Sequence, residues 1–375
     1  MYLSSLILKG FRNYADLHVE FSPGLNAVFG DNAQGKTNLL EAVYFLATGK
    51  SHRTSHDQEL IREGSPAALA RATVVRKTGE LSLELALSAE SRKQLKINGI
   101  PERKIAKLVG NLAAVFFSPD DLQLVKGPPA GRRRFLDLEL SQLSQNYLYY
   151  LMTFNRALAQ RNTVLKQDPV DPAFLSVYDE QLVASGAQLI ARRAEAVNRL
   201  TAIAGEYHHV LSEGREKLVL EYQSQAADPG QTPAVPEVTD RLQALMRARQ
   251  REEIRRQVTL IGPHRDDVAF WIDNRDARLY ASQGQQRTAV LALKLAELQF
   301  MAEQLGEYPV LLLDDVASEL DPTRRHYLLN AMQEGIQTFV SCTDLETLMV
   351  RSWPAEHRLY RVRAGTVEWD RKGLT

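Results

Sequence analysis

The sequence predicts an α/β protein, a parallel-sheet lobe interrupted by a helical insertion and completed after it. Three observations predict this. The run Gly30-Asp31-Asn32-Ala33-Gln34-Gly35-Lys36-Thr37 has the spacing G-x-x-x-x-G-K-[ST] and lies between an apolar stretch, Leu25 to Phe29, and a helical one, Leu39 to Thr48. Leu311-Leu312-Leu313-Asp314-Asp315 reads as a second buried strand that ends on two carboxylates. Between them, from Arg132 to about Gly214, strand signals nearly vanish and apolar residues recur at helical spacing.

The elements follow in order. Leu3 to Leu8, Leu17 to Phe21 and Leu25 to Phe29 are expected strands ahead of the first helix. Leu69 to Val75 and Leu81 to Leu87 alternate with period two and predict a hairpin. Gln94 to Ile97 and Ala113 to Phe117 add strands, the first closed by Asn98-Gly99 and the second by Ser118-Pro119-Asp120. Two long helices follow, separated by Asp168-Pro169-Val170-Asp171-Pro172. Lys217 to Tyr222 reads as a short strand, and Val238 to about Gln257 as a very basic helix. Strand texture returns at Val258, with a strand over Val268 to Ile272 and a helix over Gln285 to Leu305. After Val310 to Leu313 come a helix, a strand over Gln337 to Val340, and a closing hairpin about Ala364-Gly365. The predicted division is a discontinuous lobe, 1–130 with 258–375, and an inserted helical domain, 131–257.

Composition narrows the function. Lys+Arg and Asp+Glu are both 46 in 375 residues, so any nucleic-acid binding must come from a local patch. The one cysteine, Cys342, rules out an internal disulfide and a zinc finger, and fits a reducing cytoplasm. With no apolar run near about 18 residues, no membrane span is expected.

The chemistry begins at the glycine loop. Gly30 and Gly35 let successive N–H groups converge on phosphate oxygens, and the following helix adds its positive dipole end. In such a loop Lys36 addresses the β- and γ-phosphates and the Thr37 hydroxyl ligates Mg²⁺. Asp314 is the expected second Mg²⁺ ligand, and Asp315 the residue that orients or deprotonates the attacking water. A second anion site is expected at Ala281-Ser282-Gln283-Gly284-Gln285-Gln286-Arg287, at the start of the long helix. Read alone, Ser282 is an ordinary helix cap.

The ordered set of phosphate loop, serine-glycine-glutamine signature, carboxylate strand and trailing Ser318-Glu319-Leu320-Asp321 resembles the ATP-binding-cassette fold of the SMC/Rad50-like group, and within it the RecF family. Leu8-Lys9-Gly10-Phe11-Arg12-Asn13-Tyr14, Phe117-Ser118-Pro119-Asp120-Asp121-Leu122, Arg132-Arg133-Arg134-Phe135-Leu136-Asp137 and Gly262-Pro263-His264-Arg265-Asp266-Asp267 extend the resemblance over nearly the whole chain. It implies an ATPase head with a phosphate-loop core and a β-subdomain, carrying a compact helical arm. It implies ATP and Mg²⁺ as cofactors, an ATP-dependent homodimer, and weak, DNA-stimulated hydrolysis that resets it. Ser282, Gly284 and Gln285 are then expected on the partner copy's γ-phosphate, with Asp321 across the dimer seam and Arg12 and Tyr14 near the nucleotide. The implied role is recombinase loading at gapped DNA, at single- and double-stranded junctions, with the accessory proteins RecO and RecR, in support of replication and the SOS response.

The insertion, about 125 residues broken by prolines, is too short for the long coiled coil of SMC proteins. Candidate DNA contacts lie on three basic stripes: Arg132-Arg133-Arg134; the helix carrying Arg241, Arg247, Arg249, Arg251, Arg255 and Arg256, with Arg247, Arg251 and Arg255 foremost; and Arg92, Lys93, Lys96, Arg103, Lys104 and Lys107. The sequence leaves open which of them binds. Asp315 stands where many cassette ATPases carry glutamate, and Thr343 is the stand-in for an absent switch histidine. A transporter-type subunit would need that histidine and a membrane partner. A nuclease-linked ATPase would need a further acidic domain.

Overall fold

The computed structural model describes residues 1–316, 320–321, 324–325, 327–328, 335–348 and 356–370. In chain order, β1 (Tyr2–Phe11), β2 (Tyr14–Glu20) and β3 (Leu25–Phe29) lead into α1 (Lys36–Thr48). Next come β4 (Ala67–Arg76), β5 (Gly79–Ser88), β6 (Gln94–Ile97), β7 (Ile100–Glu102) and β8 (Ala114–Phe117). The helical stretch holds α2 (Gln123–Lys126), α3 (Pro129–Leu143), α4 (Gln145–Val164) and α5 (Pro172–Leu211). Then follow β9 (Leu218–Gln223), α6 (Val235–Arg256), β10 (Asp267–Ile272), β11 (Arg275–Asp276), α7 (Ala277–Tyr280) and α8 (Gln283–Leu305). The chain closes with β12 (Val310–Asp314), β13 (Thr338–Cys342), β14 (His357–Arg363) and β15 (Thr366–Trp369).

Two compact units result: Met1–Asp121 with Glu297–Thr375, and Leu122–Ala296. The first holds two six-stranded sheets, in the orders β2-β1-β4-β5-β6-β7 and β15-β14-β3-β13-β12-β8. The former is antiparallel throughout, whereas β14, β3, β13, β12 and β8 run parallel. Helix α1 packs on β8, β12 and β13 on one side and on β1, β4 and β5 on the other. That explains a helix that is apolar nearly all round, with Leu39, Leu40, Val43, Phe45 and Leu46 at most 1% exposed. Burying each such side chain stabilises the unit by roughly 1.5–3 kcal/mol.

In the second unit α4 and α5 pack together, and α5 also carries α6 and β9. Asp171 caps α5 through the Ala173 N–H (2.8 Å), and Pro172 occupies its first turn, so the expected break between the two long helices is a cap. Arg161, fully buried, ties this unit together by donating to Asp179 (2.5 Å), Glu253 (2.7 Å) and Thr259 (3.0 Å).

The expected boundaries at 130/131 and 257/258 both fall inside the second unit. The reason is β10. It pairs antiparallel with β9 (Phe270 opposite Leu220, Val268 opposite Tyr222) in a separate three-stranded sheet, β11-β10-β9. Alternation announces a strand but not the sheet it joins.

Candidate nucleotide site

The parallel sheet brings the C-terminal ends of β3, β13 and β12 side by side, the edge at which ligands bind in such sheets. The phosphate loop leaves β3 there. Its conformation demands glycine at two positions, since Gly30 has φ 146° and Gly35 φ 122°; Ala33 also adopts φ 64°. Asp31, Asn32 and Ala33 are exposed, whereas Lys36 is buried. The Lys36 ammonium donates to the carbonyls of Gly30 (2.6 Å) and Asp31 (2.8 Å), two acceptors of the loop itself.

Thr37 Oγ1 donates to Asp314 Oδ1 at 2.9 Å across 277 residues of sequence. Ser341, opposite Asp314 in the β12–β13 register, donates to the same oxygen at 2.8 Å and accepts the Asp315 N–H at 2.9 Å. Burial pushes the Asp314 carboxyl above the usual carboxylate range, against the hydrogen bonds from Ser341 and Thr37. Asp315 follows with φ 52°, a left-handed conformation that Asp tolerates better than most residues. A hydroxyl and a carboxylate at the mouth of a glycine cradle are the hard oxygen donors a magnesium ion takes, and the lysine supplies the charge a polyphosphate needs. The residues present therefore fit Mg²⁺ and ATP.

The Arg12 guanidinium is committed elsewhere than to the loop. Nε and Nη2 donate to Glu41, each at 2.8 Å, and Nη1 to the Glu59 carbonyl at 2.9 Å. Glu41 is fully buried; burial alone would raise its pKa, but the bonds from Arg12 and Ser51 (2.5 Å) hold it below the usual range. Three residues that sequence reasoning did not single out border the loop. Asn13 donates to the Gln34 carbonyl (2.8 Å), Arg53 donates to Asn38 (2.9 Å), and Ser341 serves Asp314. Ser341 was legible only through strand register, and Thr343, two residues on, is exposed.

The signature forms a reciprocal cap. Gln285 N–H donates to Ser282 Oγ (3.3 Å), and Ser282 N–H donates to Gln285 Oε1 (2.8 Å). Because Ser282 Oγ accepts from within, its own O–H is directed elsewhere. Ser282 and Gln283 are exposed and Gly284 is half-buried. Ser318 and Glu319 of the trailing loop lie outside the described residues. Asp321 caps the segment after it, accepting the Arg324 N–H (3.0 Å) and pairing with the Arg324 guanidinium.

The basic residues divide sharply. Arg132 is 4% exposed; it donates to both Asp267 oxygens (2.7 and 2.8 Å) and to the carbonyls of Gly127 (2.8 Å) and Leu124 (3.2 Å). It is a buried strut and is withdrawn from the DNA candidates. Arg133, half-buried, donates to the Asp266 carbonyl (2.7 Å). On α6, Arg241, Arg249 and Arg256 pair with acids. Arg247, Arg251 and Arg255 are exposed at i, i+4 and i+8, and carry no salt bridge among the described residues. Lys93, Lys96 and Lys107 of the third stripe are ion-paired. The Gly262–Asp267 loop is held within its unit. His264 bonds the Thr259 carbonyl (3.1 Å), Asp266 accepts from Tyr222, and Asp267 holds Arg132.

Comparison with known proteins places this geometry. The RecF/RecN/SMC N-terminal domain matches residues 2–367. The DNA replication and repair protein RecF of Symbiobacterium thermophilum is 66% identical, with both chains covered in full. That of Limosilactobacillus fermentum is 43% identical over 98% of this chain and 99% of its own. The solved structure of the recombination mediator RecF with ATPrS, in the RecFOR pathway, superposes with a TM-score of 0.90 at 32% identity, covering 98% of each chain. An SMC head bound to the C-terminal winged-helix domain of ScpA aligns at 0.57 and 16% identity over 99% of this chain and 97% of its own, a likeness of fold alone. Among the described residues no helix is long and apolar enough to cross a membrane. With a phosphate loop, a carboxylate strand and a capped signature in the family's order, the chain belongs to the RecF family of DNA replication and repair proteins.

Proposed function

We propose that the chain is an ATP-dependent DNA-binding switch of RecF type. It dimerises on ATP at gapped DNA, supports recombinase loading with RecO and RecR, and resets by slow hydrolysis. The contact of Thr37 with Asp314 carries this reading, because it joins the two halves of a magnesium–nucleotide site from opposite ends of the chain. The existence of RecF structures with ATP and ATPrS supports the same ligand here.

Within the site, Gly30 to Thr37 present backbone N–H groups, and Lys36 exchanges its two loop carbonyls for phosphate oxygens. Thr37 and Asp314 would hold Mg²⁺, which supplies charge neutralisation for the phosphates. Asp315 orients the attacking water; its carboxylate stands one methylene further back than the usual glutamate, in keeping with slow turnover. Arg12 acts through Glu41 by fixing α1, while Ser282, Gly284 and Gln285 serve the nucleotide on a second copy. Arg247, Arg251 and Arg255 supply the phosphate contacts to DNA.

Sedimentation with and without ATP and Mg²⁺ tests this. A monomer should become a dimer, and Lys36→Ala should stay monomeric and bind no nucleotide. A wild-type chain that sediments identically in both conditions removes the switch.

A further inference from the structure

We infer that Asn13, Tyr14 and the Ala364-Gly365 turn are positioning elements that pre-set the phosphate loop from behind. The inference rests on the loop's binding a nucleotide di- or triphosphate, as proposed above. Gln34, near the middle of the loop, is held on both its main chain and its side chain. Its carbonyl accepts from Asn13 Nδ2 (2.8 Å) and from the Gly365 N–H (3.1 Å), and its Oε1 accepts from the Ala364 N–H (2.7 Å). The next carbonyl, Gly35, accepts from the fully buried Tyr14 hydroxyl at 2.9 Å.

A trans peptide is planar, so its C=O and N–H point in opposite directions. Fixing the Gln34 carbonyl toward Asn13 and the hairpin turns the Gly35 N–H to the other side of the loop. The Gly35 carbonyl, held by Tyr14 and by the Leu39 N–H at the start of α1 (3.0 Å), does the same for the Lys36 N–H. Two consecutive donors of the anion cradle are thereby oriented before any anion arrives, and binding need not order them.

Three further observations bear on this. Asn13 Oδ1 accepts from Asn38 Nδ2 (2.8 Å), which leaves its amide one orientation that satisfies both neighbours. The clamp is tight enough to exclude side chains on either face. A Cβ at Gly35 would lie 2.5 Å from Asn13 Nδ2, one at Gly365 2.4 Å from the Asn13 carbonyl, and one at Gly30 2.4 Å from the Val362 carbonyl. Gly365, outside every nucleotide motif, has φ 76°, which by itself favours glycine, and lacks room for a Cβ beside the Asn13 carbonyl as well. The hairpin thus reaches back across 330 residues to brace a loop it does not adjoin in sequence.

The test is equilibrium binding of ADP, ATP with Mg²⁺, and AMP to the full chain as wild type, Asn13→Ala, Tyr14→Phe and Lys36→Ala, with the nucleotide-free melting temperature of each. Asn13→Ala and Tyr14→Phe should each weaken ADP and ATP about fivefold, the worth of one oriented hydrogen bond. AMP, which lacks the phosphates the loop addresses, should bind each of the two as it binds wild type. Tyr14→Phe is nearly isosteric and carries the test should Asn13→Ala not fold. ADP and ATP affinity equal to wild type in both variants, with Lys36→Ala inactive, overturns the clamp and leaves the nucleotide site standing. An equal loss for AMP, or a lowered melting temperature with ADP affinity retained, reduces the clamp to a structural contact. A wild-type chain that binds neither ADP nor ATP removes the site and the clamp together.

Discussion

Arg132 and the trio Arg247, Arg251 and Arg255 are alike basic in sequence, and the structure predicts opposite consequences for removing them. Arg132→Ala deletes a guanidinium that makes four hydrogen bonds in a site 4% exposed, leaving Asp267 and two carbonyls without it. Removing one partner of a buried ion pair costs about 3–5 kcal/mol. For a unit of this size each kcal/mol lowers the melting temperature by about 2–4 °C, so the second unit should melt about 6–20 °C lower. The triple variant Arg247→Ala, Arg251→Ala, Arg255→Ala removes three exposed side chains that make no salt bridge among the described residues; surface changes of this kind stay within about 0.5 kcal/mol each. Its effect should appear in DNA binding. Each lost phosphate contact lowers the slope of log affinity against log salt by about 0.9, so the triple variant should lose about 2.7. The assays are scanning calorimetry and DNA binding across a salt series, on gapped duplex and single strand, with and without ATP. Arg132→Ala that melts like wild type yet loses the salt slope would refute the partition, as would a triple variant that keeps it.

Two predictions concern the nucleotide site. Ser282→Arg should leave ATP binding intact while blocking dimerisation, since Ser282 is exposed and its hydrogen bonds among the described residues are those of its own helix cap; loss of ATP binding in this variant would mean that the signature acts within its own chain. Asp314→Asn should stabilise the nucleotide-free protein, increasingly so at higher pH. Burial raises the Asp314 pKa above its unfolded value, so the folded state holds the proton more tightly. Below the ordinary carboxylate range, near 4, both states are protonated and there is no penalty; as pH rises through the folded value, the folded state must carry a buried charge and stability falls. Asparagine keeps the oxygen that Thr37 and Ser341 donate to and removes the charge. Melting temperatures from pH 4 to 8 without nucleotide should diverge in favour of the variant, and parallel curves would show that the carboxylate carries no such cost.

Most of the fold was legible because its signals are local. The phosphate loop, the alternation of β4 and β5, the caps of α5 and α8 and the apolar run of β12 each depend on a few adjacent residues. What stayed hidden depends on pairing. β9 and β10 both read as strands, yet nothing in either sequence says that they pair with each other, so the unit boundary moved to 296/297. Ser341 lies two residues before Thr343, and only the register opposite Asp314 distinguishes the two. Arg132 and Arg251 are indistinguishable as letters. One meets Asp267 from a strand formed 135 residues later, and the other faces solvent on a helix whose neighbouring arginines already hold the available acids.

The exposure pattern of the two half-sites supports the proposal that the site closes on a second copy. A phosphoryl-transfer site works best with water excluded, because the fixed charges that stabilise the transition state weaken in a high dielectric. Here the strand side of the site is dry: Lys36, Asp314 and Ser341 are buried beneath the loop. Its mouth is wet, with Asp31, Asn32, Ala33 and Thr343 exposed. Ser282 and Gln283 are exposed too, on a helix start rigidified by its own cap. A capped helix N-terminus offers N–H groups and a positive dipole end to an anion, and the cap fixes them before contact. In the dimer proposed above, each exposed helix start would cover the mouth of the other copy's site. In that proposed dimer the γ-phosphate would be the closing contact as well as the substrate, and hydrolysis would remove it.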